Sequence, residues 1–226
     1  MDLLIFDLDG TLIDSKQDLA NSVNATRVHM GRESIDNEEA ASWVGNGAPV
    51  LIRRAMGPGA SEAEVERALA YFLAYYREHM LDHTVLYPGV REGLDRLRAS
   101  GVRMAVLTNK PVRFSRDLVA GLGVAAHFFQ VYGGNSFDQK KPHPIGIDRL
   151  REEAGAIPAE RTMMVGDSAV DIRTARNAGV SACGVTWGLQ PESLNADPPD
   201  LLIDRMDQLT EFVLCGAGPR PTARGT

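Results

Sequence analysis

Apolar positions along this chain follow two different periods. Between about residue 14 and residue 86 they recur at helical spacing, whereas on either side they gather into short continuous runs separated by helical stretches. The first run, Leu3-Leu4-Ile5-Phe6, places four apolar residues in succession, as suits a strand buried on both faces of a parallel sheet. Similar runs at 102–107, 128–132, 162–165, 182–186 and 201–203 predict further strands, and the stretches at 90–100, from about 111, and at 145–154 predict the helices between them. This alternation predicts an α/β fold in which a parallel sheet is flanked by helices.

From Asp14 to about His83 the pattern predicts helices near 15–30, 37–44, 48–56 and 61–80, and no convincing strand. Asp14 or Ser15 can cap the first, whose apolar positions are Leu19, Val23, Ala25 and Val28. Ser61 and Glu64 form a capping-box pattern ahead of the last, and its stripe of Val65, Leu69, Phe72, Leu73 and Tyr76 is expected to pack as core. The expected organisation is therefore an α/β core made of 1–13 and 87–214, an inserted all-helical cap at 14–86, and a mobile tail at 215–226, where glycine and proline break regular structure.

Composition narrows the function classes. At 226 residues, with 44% hydrophobic and 24% charged content, the chain can bury a substantial core. A formal net charge of -6 speaks against general nucleic-acid binding, which depends on clustered Lys and Arg. No apolar stretch approaches the ~20 residues needed to span a bilayer, and Asp2 stands where a signal peptide would carry positive charge. Cys183 and Cys215 are too few for a disulfide framework. The expectation is a cytoplasmic protein, monomeric or homodimeric, that binds neither membrane nor nucleic acid.

Candidate chemistry collects where the strands end. Leu3–Phe6 runs into Asp7-Leu8-Asp9-Gly10-Thr11, the second strand into Thr108-Asn109-Lys110, and the fourth into Gly166-Asp167-Ser168-Ala169-Val170-Asp171, while Lys140-Lys141-Pro142 follows the third. Ligands in parallel sheets bind beyond the strands' carboxyl ends. Asp7 and Asp9 would point the same way if the strand persists, and such a close pair calls for a cation or a shared proton. Asp9-Gly10 could instead close a hairpin, but the helical pattern that follows argues against a returning strand. Carboxylates, a lysine and a hydroxyl around a hard cation such as Mg2+ are the parts needed for phosphoryl transfer. Without a P-loop pattern, a carboxylate nucleophile is the economical choice. Asp7 would attack and Asp9 would serve as general acid and base. Lys141 would neutralise charge, Thr108 and Asn109 would bond phosphoryl oxygens, and Asp7, Asp9 and Asp167 would hold the metal. Asp171, at i+4 from Asp167, would share its helix face and could bind metal, hold a metal-bound water or orient Lys141.

These four motifs, in this order and spacing, resemble those of the haloacid dehalogenase superfamily. The resemblance spans residues 1 to about 214 and implies a Rossmann-like core, an Asp nucleophile, a second Asp as acid and base, Mg2+, and a helical cap inserted after the first motif. The presence of Asp9 favours phosphate-ester hydrolysis over the dehalogenase and phosphonatase branches. The loop Gly45-Asn46-Gly47-Ala48-Pro49 and the helix after it, with Tyr87-Pro88-Gly89-Val90, resemble the branch of phosphoglycolate phosphatases. That implies a small phosphorylated metabolite as substrate, with 2-phosphoglycolate first, and Gly45, Asn46, Gly47 and Arg53 or Arg54 against its distal carboxylate. Relatives with this cap act on sugar phosphates, pyrophosphate or nucleotides, and a phosphomutase or a non-catalytic binding protein are the remaining alternatives.

Overall fold

The structure, a computed structural model, describes residues 1–215. The expected tail lies, from residue 216 on, outside the described residues. Strand β1 (Leu3–Phe6) leads to a two-residue strand β2 (Ile13–Asp14) and then to helices α1 (Lys16–His29), α2 (Asn37–Ser42), α3 (Ala48–Met56) and α4 (Glu62–His79). A second two-residue strand, β3 (Val85–Leu86), precedes α5 (Val90–Ala99), β4 (Arg103–Leu107), α6 (Val112–Gly121) and β5 (Gln130–Tyr132). Next come α7 (Ile145–Glu153), β6 (Thr162–Gly166), α8 (Ala169–Asn177), β7 (Ser181–Val185), β8 (Leu201–Ile203) and α9 (Met206–Leu214).

Six strands form one parallel sheet in the order β5-β4-β1-β6-β7-β8. The opening run takes a central place because both its faces are apolar. Leu4 and Phe6 join the core that includes Leu94, Leu97, Leu118 and Leu209, contributed by α5, α6 and α9, whereas Leu3 and Ile5 join Ile147, Leu150 and Ile172 from α7 and α8. All four residues of β1 are fully buried. This is the doubly covered parallel sheet that continuous apolar runs require.

Helices α1–α4 follow the expected segments closely, and the Ser61–Glu64 capping box forms in both directions, Glu64 Oε2 accepting from the Ser61 amide at 2.8 Å and Ser61 Oγ from the Glu64 amide at 3.3 Å. Two expectations need correction. The region does contain strand: β2 and β3 pair antiparallel, Ile13 with Leu86 and Asp14 with Val85, and so tie together the chain entering and leaving it. Two residues a side are too few to show a period. The inner face of α1 is also half polar. Leu19 and Val23 are buried, but Val28 is 62% exposed, and Asp18, Ser22 and Thr26, spaced four apart, are buried instead.

That polar stripe is satisfied internally. Asp18 accepts from the amides of His83 and Thr84 and from the Thr84 hydroxyl, at 2.8–3.1 Å, while Ser22 and Thr26 hydroxyls donate to carbonyls one turn back. A single carboxylate thus pins the start of α1 to the segment leading into β3. Asp18→Ala leaves those donors buried without acceptors, and should lower unfolding free energy by about 2–3 kcal/mol. A urea titration checks this: the midpoint should fall with an unchanged slope, and an unchanged midpoint would show that water replaces the carboxylate freely.

Candidate active site

The loops that leave β1, β4 and β6 converge at the carboxyl edge of the sheet. Asp7 follows β1 directly. Its amide donates to Val165 O at 2.9 Å, which fixes the backbone to β6, and its Oδ1 accepts from the Leu8 amide at 2.7 Å. Asp7 Oδ2 lies 3.0 Å from Lys141 Nζ, which also reaches Asp171 Oδ1 at 2.5 Å. The lysine side chain is 2% exposed and that of Asp171 fully buried, so this is an internal ion-pair network.

Asp171 does not share a helix face with Asp167. Helix α8 starts only at Ala169, with Ser168 as its N-cap, so Asp167 precedes the helix. Asp171 is instead the third residue of a capping box, its Oδ2 accepting from the Ser168 amide at 3.2 Å and hydroxyl at 2.7 Å. Its other oxygen is thereby aimed at Lys141. Asp167 Oδ2 accepts from the amides of Leu189 and Gln190 at 2.7 and 3.1 Å. Gly10, at φ +78°, lets the first loop turn against it, since a Cβ at position 10 would stand 2.3 Å from Asp167 Oδ2.

Asp7, Asp167 and Asp171 each offer an oxygen within 4.8 Å of the others. Three buried acids and one lysine leave negative charge in excess, and the titration behaviour follows from it. Burial, reinforced by Asp171 and only partly offset by Lys141, pushes Asp7 up to about 6. Burial, with Asp171 and Asp7 adding to it, pushes Asp167 up to about 8. Lys141 moves up from the ordinary lysine range: burial opposes its charge, but Asp171 and Asp7 outweigh that. A hard divalent cation with oxygen ligands fits such a trio.

Asp9 departs from the expected metal set. Its carboxylate accepts from Ser15 Oγ at 2.6 Å and takes both its oxygens to Lys110 Nζ at 2.9 Å, which holds it apart from the trio. Lys110 is the residue that sequence reasoning passed over. It was visible only as a polar strand end, yet its side chain is 5% exposed and its ammonium lies 4.6 Å from the centroid of the Tyr76 ring. Tyr76, expected to serve purely as packing, lines the same cavity.

Thr108 Oγ1 accepts from the Lys110 amide at 3.3 Å, leaving its own proton to donate. Asn109 is committed elsewhere than expected, because its Nδ2 donates to Gly45 O at 3.1 Å and Lys141 O at 3.2 Å. The amide therefore joins the α2–α3 loop to the core. Lys140 Nζ on Asn46 O at 2.7 Å, and Gln190 Nε2 on Val44 O and Ser42 O at 2.6 and 2.9 Å, do the same. Gly45 and Gly47 line the cavity; Asn46 is held at its rim. Gly47, at φ +87°, faces Asn109 O at 3.1 Å from a hypothetical Cβ, so the loop approaches the core closely. Arg53 is not brought to the cavity. It forks onto Glu62 at the exposed surface, and Arg54 donates to Trp43 O at 3.0 Å. Both lie on the outer side of α3, whose inner side carries Leu51, Ile52 and Ala55.

Residues 4–185 match the family described as haloacid dehalogenase-like hydrolase. A protein of Pseudomonas putida named phosphoglycolate phosphatase is 42% identical over 92% of this chain and 78% of its own length. One of the same name from Colwellia psychrerythraea is 38% identical over 92% of this chain and 95% of its own. Among solved structures, a predicted phosphoglycolate phosphatase from Haemophilus somnus superposes with a TM-score of 0.88 at 32% identity, covering 94% of this chain and 97% of that one. A parallel sheet with acids at the ends of β1 and β6, a buried lysine between them and a family match across most of the chain lead to one conclusion: this chain belongs to the haloacid dehalogenase-like hydrolases.

Proposed function

We propose that this chain is a Mg2+-dependent phosphatase that hydrolyses a small phosphorylated metabolite, 2-phosphoglycolate, through an aspartyl phosphate. The observation that carries the reading is the separate pairing of two neighbouring acids, Asp7 with Lys141 and Asp9 with Lys110. Environments that differ in this way give two carboxylates different roles. Names borne by relatives at about 40% identity over most of the chain support the substrate.

In the proposed reaction an Asp7 oxygen bonds to phosphorus as the ester P–O bond breaks, and Asp9 gives its proton to the leaving oxygen. Asp9 then takes a proton from water, whose oxygen bonds to phosphorus as the Asp7–phosphorus bond breaks, releasing phosphate and restoring the Asp7 carboxylate and the protonated Asp9. Lys141, paired with Asp7, and the Thr108 hydroxyl, which lines the same cavity, stabilise the phosphoryl oxygens. Asp171 keeps Lys141 in place. Asp7, Asp167 and Asp171 would hold Mg2+, which supplies positive charge where nucleophile and phosphoryl group repel.

Residues 14–86 act as the cap, with the β2–β3 ribbon at its base and the 42–46 loop at its rim, and close over the substrate to exclude water. Two free cysteines, one buried, accord with a reducing cytoplasm, and among the described residues no helix is long and apolar enough to cross a membrane. A monomer or homodimer is equally compatible with this site, which draws all its groups from one chain.

Asp7→Asn should abolish phosphate release, and Asp9→Asn should lower kcat by ~10^2–10^4, the usual worth of general acid–base catalysis. Steady-state assay with 2-phosphoglycolate measures both, and normal turnover in Asp7→Asn would remove the proposed nucleophile. Wild-type release in large excess over enzyme separates hydrolysis from a mutase.

The metal reading has its own test. With Asp7 near 6 and Asp167 near 8 against an ordinary 3.8, the folded state holds more protons than the unfolded between those limits. Stability without metal therefore falls as pH rises through that window. Mg2+ binds the deprotonated acids, so the rise in Tm on adding it should be larger at pH 8 than at pH 5. Equal shifts at both pH values would show that these carboxylates do not hold the ion.

A further inference from the structure

The cavity between cap and core is polar on one side only. Asp7, Asp9, Thr108 and Asp167 line its core side, while Leu19, Leu51, Phe72, Leu73 and Phe114 supply apolar walls. The lining also holds donors on Asn109, Ser168 and Gln190, but these are already engaged by Gly45 O and Lys141 O, by Asp171, and by Ser42 O and Val44 O, which leaves Lys110 and Tyr76. Lys110 donates to both Asp9 oxygens and faces the Tyr76 ring at 4.6 Å, and among the described residues its ammonium has no third oxygen acceptor in hydrogen-bond geometry. Tyr76 is 1% exposed, and among the described residues its hydroxyl, on the ring that the Lys110 ammonium faces, has no hydrogen-bond partner of normal geometry. A hydroxyl buried unpaired costs stability that nothing in the fold returns, which marks it as a group kept for a ligand.

We propose that Lys110 and Tyr76 form the subsite for the leaving group's carboxylate, and so set which ester this enzyme prefers. The proposal rests on the 2-phosphoglycolate reading and moves the anion-recognising role from Arg53, which lies outside the cavity on Glu62, to the ammonium inside it. Its geometry follows from Asp9. If Asp9 protonates the ester oxygen, the carboxylate of glycolate begins one methylene further on, where a cation bonded to Asp9 is the nearest donor. Lys110 also stands between that carboxylate and Asp9, so two like charges share one counter-ion. Burial pushes Tyr76 up to about 12, which keeps its hydroxyl protonated as a donor. The surrounding leucines and phenylalanines offer nothing to the hydroxyls of a sugar, which would be left unpaired on binding.

The test compares 2-phosphoglycolate with ethyl phosphate, which has a methyl in place of the carboxylate. The readout is the ratio of kcat/KM for the two esters, since any disturbance of Asp9 lowers both alike and cancels. Wild type should favour 2-phosphoglycolate. Tyr76→Phe should lower the ratio about tenfold and Lys110→Met about a hundredfold, as expected for hydrogen bonds to a charged group. Lys110→Arg, which keeps the cation, should retain more of the ratio than Lys110→Met. Should Lys110→Met fail to fold, Tyr76→Phe decides alone. A wild-type preference that survives in these variants would overturn the subsite and leave the substrate reading standing; a wild type without preference would overturn the substrate reading itself.

Discussion

Everything at the catalytic edge depends on one buried ammonium. Lys141 lies between Asp7 and Asp171, and without it three acids at the strand ends would face one another in an interior that cannot solvate them. Its position is fixed through secondary structure rather than through its own loop. Asp171 is oriented because it closes the capping box of α8, and Asp7 because its amide is bonded to β6. The start of a helix and the end of a strand therefore define where the charge sits. The remaining excess of negative charge, visible in the raised values of Asp7 and Asp167, is what suits the site to a cation.

The second constraint is the way residues 14–86 are fastened. At the base, the β2–β3 ribbon and the bonds from Asp18 to residues 83 and 84 join the two crossing points of the chain. At the rim, three side chains of the core, Asn109, Lys140 and Gln190, grip only backbone carbonyls of the 42–46 loop. Carbonyl contacts make few demands on the loop's side chains. They also bond Asn109, next in sequence to Thr108, to the loop, so the end of β4 that carries the proposed phosphoryl donor is also the one that meets the 42–46 loop.

The sheet, its strand positions and the four helices between β1 and β3 were legible because each rests on a local period: continuous apolar runs for buried strands, a capping box and stripe for α4. What was not legible depended on contacts distant in sequence. The buried acid on the inner face of α1 is satisfied because Asp18 meets residues some sixty positions away, and no helical period could report that. Lys110 looked like an ordinary polar strand end, since its partners Asp9 and Tyr76 come from the other two parts of the chain. Arg53 misled for the opposite reason. Guanidinium chemistry suits a carboxylate ligand, but its nearest carboxylate is the protein's own Glu62.

Charge placement separates the two acids of the opening motif more sharply than their spacing does. Asp7 and Asp9 stand two residues apart, yet each is neutralised from a different direction, one by a lysine after β5 and the other by a lysine after β4. A single shared cation would have tied their protonation together. In the proposed reaction, separate partners let Asp7 act as an anion among the acids that would hold a metal while Asp9 exchanges a proton with the leaving group. On the proposed reading, the same division gives the cavity two ends: one built of carboxylates for a cation and a phosphoryl group, the other more apolar with Lys110 and Tyr76 for a small anionic remnant. Selectivity then follows from what the apolar end lacks, since a ligand carrying more polar groups than those two donors can satisfy would have to leave some of them unpaired.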